Sequence, residues 1–175
     1  MTLRLTFGID PGLSGAVATL IDGEPGPLVD MPTFHNGTAN EVDAAELAAF
    51  LRSMRATYPG AYVSACIERV RAMPSTGPDR RTMGAQSSFN FGDGFGQVKA
   101  VFRALGIDTV LVEAQCWKRR YGLIGRDKDA GRQLALLRFP SIAHLLKRKK
   151  DHGRADAALI GLYHESTATQ GARAA

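Results

Sequence analysis

The chain lacks the features that mark secreted, disulfide-bonded and membrane-spanning proteins. Its 175 residues include only two cysteines, Cys66 and Cys116, which are too few for a disulfide framework. Both thiols are expected to be buried, in a protein of a reducing compartment. No apolar run approaches the roughly 20 residues of a membrane span. The N-terminus has no basic start followed by a compact apolar segment, so we expect no secretory signal and a cytoplasmic location.

The composition is also not that of a disordered chain or of several domains. Apolar residues make up 45% of the sequence, which is ordinary for a globular protein. A chain of this length fits one domain that buries most of its apolar surface. We place that domain at residues 1–166, followed by a flexible tail at residues 167–175 that is rich in Ala and Thr.

Charge is unevenly distributed along the chain. Residues 1–68 hold three basic and eight acidic side chains, whereas residues 117–154 hold twelve basic and three acidic ones. A basic segment beside an acidic one that carries strand-end carboxylates predicts a polyanion bound near a metal site. A solubilising charged surface is the alternative interpretation.

Two carboxylates directly follow strand-like runs. The alternating apolar pattern of residues 3–9 predicts a strand with Asp10 at its carboxyl end. Residues 62–67 form another such run, and Glu68 follows it. In an open sheet, side chains at the carboxyl ends of strands point into the crevice where ligands bind. Asp10 alone is equally typical of a hairpin whose carboxylate binds backbone amides.

The remaining pattern predicts an α/β protein. It indicates, in order, strands at 16–21 and 27–31, a polar loop at 33–40, a helix capped by Asn40, a helical pattern from Phe95 onward, a strand at 108–113 and two helices within 115–138. We interpret Phe89, Phe91 and Phe95 as core packing, with base stacking as the alternative. Trp117 is interpreted as a core anchor.

Basic side chains are concentrated in two regions. Residues 69–86 form a basic loop, for which contact with a phosphate backbone is the functional interpretation. Residues 117–154 supply further cations, for which plain solvation is the alternative. The candidate contacts to nucleic acid are Arg69, Arg71, Arg80, Arg81, Lys118, Arg119, Arg120, Lys128, Lys149 and Lys150.

The segment KRKKDHGRADAALIGLY leads from a basic run into an apolar helix. His152 and Asp156 are four residues apart and share one helical face if the helix includes both. Small residues around Asp156 allow this helix to lie close against a sheet. An Asp in the first turns of such a helix is costly when buried without a partner, so it indicates either a metal ligand or a cap.

These acids have the chemistry of a nuclease. Hydrolysis of a phosphodiester needs an activated water, a stabilised leaving oxygen and screening of the phosphoryl charge, which two divalent ions roughly 3.5–4 Å apart supply. Hard ions such as Mg²⁺ prefer oxygen ligands, and such a set consists of Asp10, Glu68, Asp156 and one of Asp151 or His152. The set converges if the first three strands form an antiparallel meander and the next helix returns the fourth strand beside the first.

Five motifs resemble those of the RuvC-type Holliday-junction resolvases, especially the phage and organelle-like forms. They are GIDPGLSGA, CIERV, SSFNFGDGFG, WKRRYGLIGRDKDAGR and KKDHGRADAALIG, and they extend over roughly residues 5–164 in the family's order. The resemblance implies an RNase H-like fold with a mixed five-stranded sheet, antiparallel in strands 1–3 and then parallel, flanked by helices. It also implies an endonuclease that resolves four-way DNA junctions by paired symmetric nicks, as a homodimer with two Mg²⁺ or Mn²⁺ ions per active site.

The resemblance further implies roles for individual residues. The residues implied to act in catalysis are Asp10, Glu68, Asp151, His152, Asp156, Lys118 and Lys128, and those implied to bind metal are Asp10, Glu68, Asp151 and Asp156. Asp151 is preferred over His152 as the fourth ligand because a carboxylate supplies the oxygen atoms that Mg²⁺ prefers. In much of the family the two late ligands are three residues apart, but position 153 is Gly here. The aromatic residue that follows the strand-four Glu in some members is also missing.

Two other classes of protein fit parts of the pattern. Sugar kinases and actin-like ATPases also have Asp and Gly after a first strand, but they need a duplicated domain, and this chain has no internal repeat. A non-catalytic nucleic-acid-binding protein that has kept the fold is the second alternative. Retention of all three core acids argues against it.

Overall fold

A mixed five-stranded sheet forms the centre of the protein. The structure is a computed structural model that describes residues 2–71 and 84–174. The strands are β1 (Arg4–Asp10), β2 (Ala16–Ile21), β3 (Glu24–Asp30), β6 (Tyr62–Glu68) and β7 (Asp108–Val112), in the spatial order β3-β2-β1-β6-β7. The first three form an antiparallel meander, and β1, β6 and β7 are parallel. The predicted fold class is therefore confirmed.

Helices cover both faces of the sheet. One face packs against α1 (Ala44–Thr57) and α2 (Ala85–Ala104), in a core that includes Phe7 and Phe102 with their rings edge to face at 6.1 Å. The other face packs against α3 (Ala114–Arg120), α4 (Ala130–Arg138) and α5 (His152–Ala174). Trp117 is fully buried there, as the interpretation of a core anchor predicts.

Several local predictions were wrong in detail. The segment predicted as a polar loop is a small hairpin of β4 (Thr33–His35) and β5 (Asn40–Val42). Its turn is held by Asn36 Oδ1, which accepts hydrogen bonds from two backbone amides. The cap of α1 is Asp43 rather than Asn40, because the Asp43 carboxylate accepts a hydrogen bond from the Glu46 amide at 2.9 Å.

Other boundaries also differ from the predictions. β3 begins at Glu24, before the predicted strand, and α2 begins well before Phe95. Cys66 is buried as expected, but Cys116 is exposed on α3. The backbone of α5 is helical to Ala174, and the domain boundary at residue 166 stays a prediction. No helix in the described parts of the chain has the length and apolarity needed to cross a membrane.

Helix α5 lies on β1 with backbone against backbone. A Cβ atom built on Gly8 would lie 2.1 Å from the carbonyl oxygen of Ala157 and 2.3 Å from the amide nitrogen of Gly161. Neither atom can move without displacing the helix, so only glycine fits at position 8. This confirms the prediction that small residues allow the last helix to approach the sheet closely.

We expect Gly8→Ala to lower the free energy of unfolding by about 1–3 kcal/mol, because the added methyl group forces α5 away from β1. The matched control is Gly92→Ala on α2, where an added Cβ meets no atom within 4 Å. That substitution should stabilise the helix by about 0.5–1 kcal/mol. Urea unfolding followed by circular dichroism measures both effects, and equal stability of the two variants would contradict this account of the contact.

Candidate active site

Three acidic side chains from distant parts of the chain meet at one edge of the sheet. Asp10 ends β1 and Glu68 ends the parallel neighbour β6, so both lie at the same edge. Asp156 is on α5, which crosses β1 and β2. The charge of Asp10 acts on Glu68, and the charges of both Asp10 and Glu68 act on Asp156. We call Asp10, Glu68 and Asp156 the acid cluster.

Burial dominates the electrostatics of the acid cluster. Removal of water raises the pKa of Asp10, although the Gly12 amide, which donates to Oδ1 at 3.4 Å, opposes the rise. Burial raises the pKa of Asp156 to about 7, with Lys118 opposing and the other two acids adding to the rise. The ionised cluster is therefore an unfavourable state for the protein by itself.

The indole of Trp117 holds Glu68 in place. Trp117 Nε1–H donates to Glu68 Oε2 at 2.8 Å from the first turns of α3. Burial raises the pKa of Glu68, and the indole hydrogen bond partly offsets this rise by favouring the ionised form. Trp117 thus has a second role besides packing, which the sequence did not indicate.

Two lysines and a histidine surround the acid cluster. Lys118 lowers the pKa of all three acids, and its ammonium lies 5.0 Å from the centre of the Trp117 ring. Lys128 acts on Asp156, and His152 acts on Asp10. The structure therefore brings together six of the seven residues proposed for catalysis.

The seventh residue, Asp151, faces a different set of groups. It lies in a short 3₁₀ turn (Lys149–Asp151), where Oδ1 accepts from Arg148 Nη2 at 2.7 Å and Oδ2 accepts from the Arg148 amide at 2.8 Å. The side chain is 4% exposed, and the Arg148 guanidinium holds its pKa below the usual range. Asp151 is not among the electrostatic partners of the acid cluster within the described residues.

The glycine at position 153 has a steric reason. A Cβ atom there would lie 2.4 Å from the carbonyl oxygen of Ser14 and 3.0 Å from the Cα of Gly15, in the turn between β1 and β2. It would also lie 3.3 Å from Asp10 Oδ2. The first turn of α5 is therefore too close to Asp10 for a side chain at position 153, and the neighbouring His152 is the residue whose charge reaches Asp10.

The predicted nucleic-acid contacts that lie within the described residues form two groups. Arg69 and Arg71 both pair with Glu113, through Nε–Oε1 distances of 3.3 and 3.0 Å, and both stay partly exposed. Arg80 and Arg81 lie outside the described residues. The second group lies on α3, just before α4 and in the 3₁₀ turn; its members are Lys118, Arg119, Arg120, Lys128, Lys149 and Lys150.

A small cavity of about 170 Å³ lies between the residues that precede α4 and the 3₁₀ turn. It is lined by Lys128, Lys149 and His152 together with two aspartates. One of them, Asp129, accepts from the buried Arg132 at 2.6 and 2.7 Å, and Arg132 Nη1 donates to the Leu146 carbonyl. Arg132 therefore fixes the start of α4, which closely follows Lys128, to the segment before the 3₁₀ turn.

The acid cluster fits a hard divalent cation by its chemistry. Three carboxylates supply oxygen ligands, and their mutual repulsion in a buried site is a cost that a cation relieves. Within residues 2–71 and 84–174, however, no group of three or more His, Cys, Asp or Glu side chains is close enough to hold an ion. The backbone brings the acids to one place without closing a coordination sphere.

The order of the strands and the flanking helices are those of the RNase H-like fold. A structure of Thermus thermophilus RuvC in complex with a Holliday junction substrate matches with a TM-score of 0.59 and 14% identity, over 96% of each chain. A second Thermus thermophilus RuvC structure matches with a TM-score of 0.54 and 14% identity, over 96% of this chain and 97% of the other. No family model matches the sequence, and no curated protein does so either. The resemblance to RuvC-type resolvases is thus confirmed at the level of the fold.

The raised pKa of Asp156 predicts how stability depends on pH. Its pKa is about 7 in the folded chain against 3.8 as the reference value, so the folded state binds this proton more tightly. The free energy of unfolding should therefore fall as pH rises from about 4 to about 7, and the cost is fully present above pH 7. In metal-free protein, Asp156→Asn should raise the free energy of unfolding by about 2–4 kcal/mol at pH 8 and change it little at pH 4.

Thermal unfolding in the presence of a chelator, repeated from pH 4 to pH 8, measures this difference. Asp93→Asn is the matched control, because Asp93 is exposed on α2. A gain in Asp156→Asn that is the same at all pH values would contradict the assignment of the cost to a buried carboxylate.

Proposed function

We propose that this protein is a metal-dependent endonuclease that resolves four-way DNA junctions by paired symmetric nicks. The observation that carries the proposal is the convergence of Asp10, Glu68 and Asp156 at one sheet edge of a RuvC-like fold. Three partly buried carboxylates beside a surface rich in Lys and Arg suit a phosphodiester substrate better than they suit a structural site.

Each residue near the cluster has a role in this proposal. Asp10, Glu68 and Asp156 would hold Mg²⁺ or Mn²⁺, two ions per site. Such ions, when bound, activate a water and stabilise the leaving oxygen. Trp117 orients Glu68 through its indole hydrogen bond. Lys118 offsets negative charge in the cluster.

His152 is the fourth candidate at the acid cluster. Its ring belongs to the first turn of α5, and its charge lowers the pKa of Asp10. A ring nitrogen there is suited to orient the attacking water beside Asp10. We propose this role for His152 and a structural role for Asp151, whose carboxylate is occupied by Arg148.

The substrate in this proposal is held by charge and by symmetry. Lys128, Lys149 and the exposed α3 residues Arg119 and Arg120 would bind phosphates, which makes affinity fall steeply as salt rises. Two nicks in opposite strands need two active sites, so we propose a homodimer with two-fold symmetry.

We expect Asp10→Asn to abolish cleavage of a synthetic four-way junction while leaving junction binding within a few-fold of the wild type. Loss of one carboxylate removes a ligand but no phosphate contact. The matched control is Asp108→Asn, at the start of β7 and so at the opposite sheet edge. Gel assays with Mg²⁺, Mn²⁺ or chelator measure cleavage, and gel shifts measure binding.

Two results would contradict the proposal in different ways. Cleavage by Asp10→Asn at the wild-type rate would remove the metal-site assignment. Binding of junctions with neither cleavage nor uptake of Mg²⁺ in a calorimetric titration would instead favour a non-catalytic nucleic-acid-binding protein.

His152→Ala and Asp151→Asn should separate the two candidates for the fourth position. We expect His152→Ala to lower the cleavage rate by about 10–100-fold with little change in stability. Asp151→Asn should lower the free energy of unfolding by about 1–3 kcal/mol, because it weakens charge-assisted hydrogen bonds from Arg148. Its cleavage rate, measured well below the unfolding temperature, should stay near wild type. The reverse pattern would make Asp151 the ligand.

A further inference from the structure

A groove with uncharged walls opens beside the acid cluster. It runs between the β1–β2 turn and the N-terminal half of α2, is open to solvent and has a volume of about 450 Å³. Leu13 and Phe91 form apolar walls, and Ser14, Ser87 and Asn90 add hydroxyl and amide groups. A volume of this size is typical of small-ligand sites.

The groove is next to Asp10, to which it is connected through Gly12. The Gly12 amide donates to Asp10 Oδ1, and Gly12 also lines the groove. A Cβ atom built on Gly12 would lie 3.7 Å from Asp10 Oδ1 and 3.9 Å from Cε2 of Phe91. The Asp10 carboxylate and the Phe91 ring therefore both lie close to Gly12.

The walls of the groove have the wrong chemistry for a phosphate and the right chemistry for a base. None of the described residues that line it is charged, whereas the phosphate-binding candidates are all Lys or Arg. Leu13 is 47% exposed and Phe91 is 36% exposed, so two large apolar side chains stay open to water. An aromatic side chain beside amide and hydroxyl groups is typical of sites that stack an unpaired base and bind its polar edge.

The side chain of Asn90 is oriented by a hydrogen bond that leaves it able to contact the polar edge of a base. Its Oδ1 accepts a hydrogen bond from Gln86 Nε2 at 2.8 Å, one turn earlier on α2. This bond orients the side-chain amide, whose NH₂ group remains available as a donor. An amide NH₂ group can donate a hydrogen bond to an acceptor atom on the edge of a base.

We propose that this groove binds the base of an unpaired nucleotide next to the phosphate that is cut, with the base stacked on Phe91 and contacted at its edge by Asn90. This role rests on the proposed nuclease function and adds a site that selects where along the strand the cut is made. Of the three phenylalanines that the sequence placed in the core, only Phe95 is buried; Phe91 is the one assigned to the groove.

Photochemical crosslinking tests the site without any need for cleavage. Junctions that carry a single 5-iodouracil at successive positions around the branch point are irradiated with Asp10→Asn protein in the absence of metal, and the crosslinked residue is identified by mass spectrometry. We expect a crosslink at Phe91 for one or two positions of the label. Phe91→Leu should lower its yield by about 10-fold.

The matched control is Phe89→Leu, on the same helix. Phe89 is 71% exposed and is not among the residues that line the groove. This variant should give the wild-type crosslink. Thermal unfolding of both variants checks that each is folded.

A second measurement uses the active protein. On a set of junctions that differ in sequence at the branch point, Phe91→Leu should reduce the rate ratio between preferred and disfavoured cut positions by about 10-fold. Phe89→Leu should keep the wild-type ratio.

The outcomes separate the groove from the nuclease. If the wild type cuts junctions and Asp10→Asn does not, but crosslinks fall outside the groove and Phe91→Leu keeps the wild-type cut positions, the base site is wrong and the nuclease stands. If the wild type cuts nothing, the nuclease is wrong, and the crosslinks still decide whether a base occupies the groove. Loss of a dimer in Phe91→Leu, seen by sedimentation without any crosslink, would make the groove a contact between two copies of the chain and overturn the base site.

Discussion

The direct contact between α5 and β1 is the constraint on which the rest of the structure depends. Glycine at positions 8 and 161 lets the helix backbone touch the sheet, and glycine at position 153 lets its first turn pass the β1–β2 turn. With a side-chain layer in between, α5 would lie several ångströms farther out. Asp156 would then be beyond the reach of Asp10 and Glu68, so the acid cluster exists because three residues have no side chain.

The acid cluster is a cost that the surrounding core offsets. Carboxylates brought out of water at one sheet edge disfavour their own ionisation, as the pKa of about 7 for Asp156 shows. Two of the groups that reduce the cost, the Trp117 indole and the Lys118 ammonium, come from the short helix α3. The hydrophobic cores on both faces of the sheet offset this local destabilisation. Destabilisation of this kind is typical of sites selected for chemistry rather than for stability.

Sequence patterns were sufficient wherever local periodicity and burial agree. The end of β1 at Asp10 and the end of β6 at Glu68 follow from apolar runs that stop at a carboxylate. The hairpin at residues 33–42 was missed because its short strands are mostly exposed and carry no alternating pattern. Its turn is instead stabilised by hydrogen bonds to the Asn36 side chain. The direction in which Asp151 faces was also hidden, because it depends on a 3₁₀ turn that places the carboxylate against Arg148. Spacing along the chain indicates which residues come near a site, whereas the last turn of backbone before them decides which ones face it.

The hydrogen bond between Trp117 and Glu68 has a practical consequence. Trp117 is the only tryptophan in the chain, and its indole N–H ends on a carboxylate of the acid cluster. Indole emission responds to hydrogen bonding and to nearby charge, so the intrinsic fluorescence of the unlabelled protein reports on that one carboxylate. Tryptophan fluorescence of this protein therefore comes from one residue at the acid cluster, with no contribution from a second tryptophan.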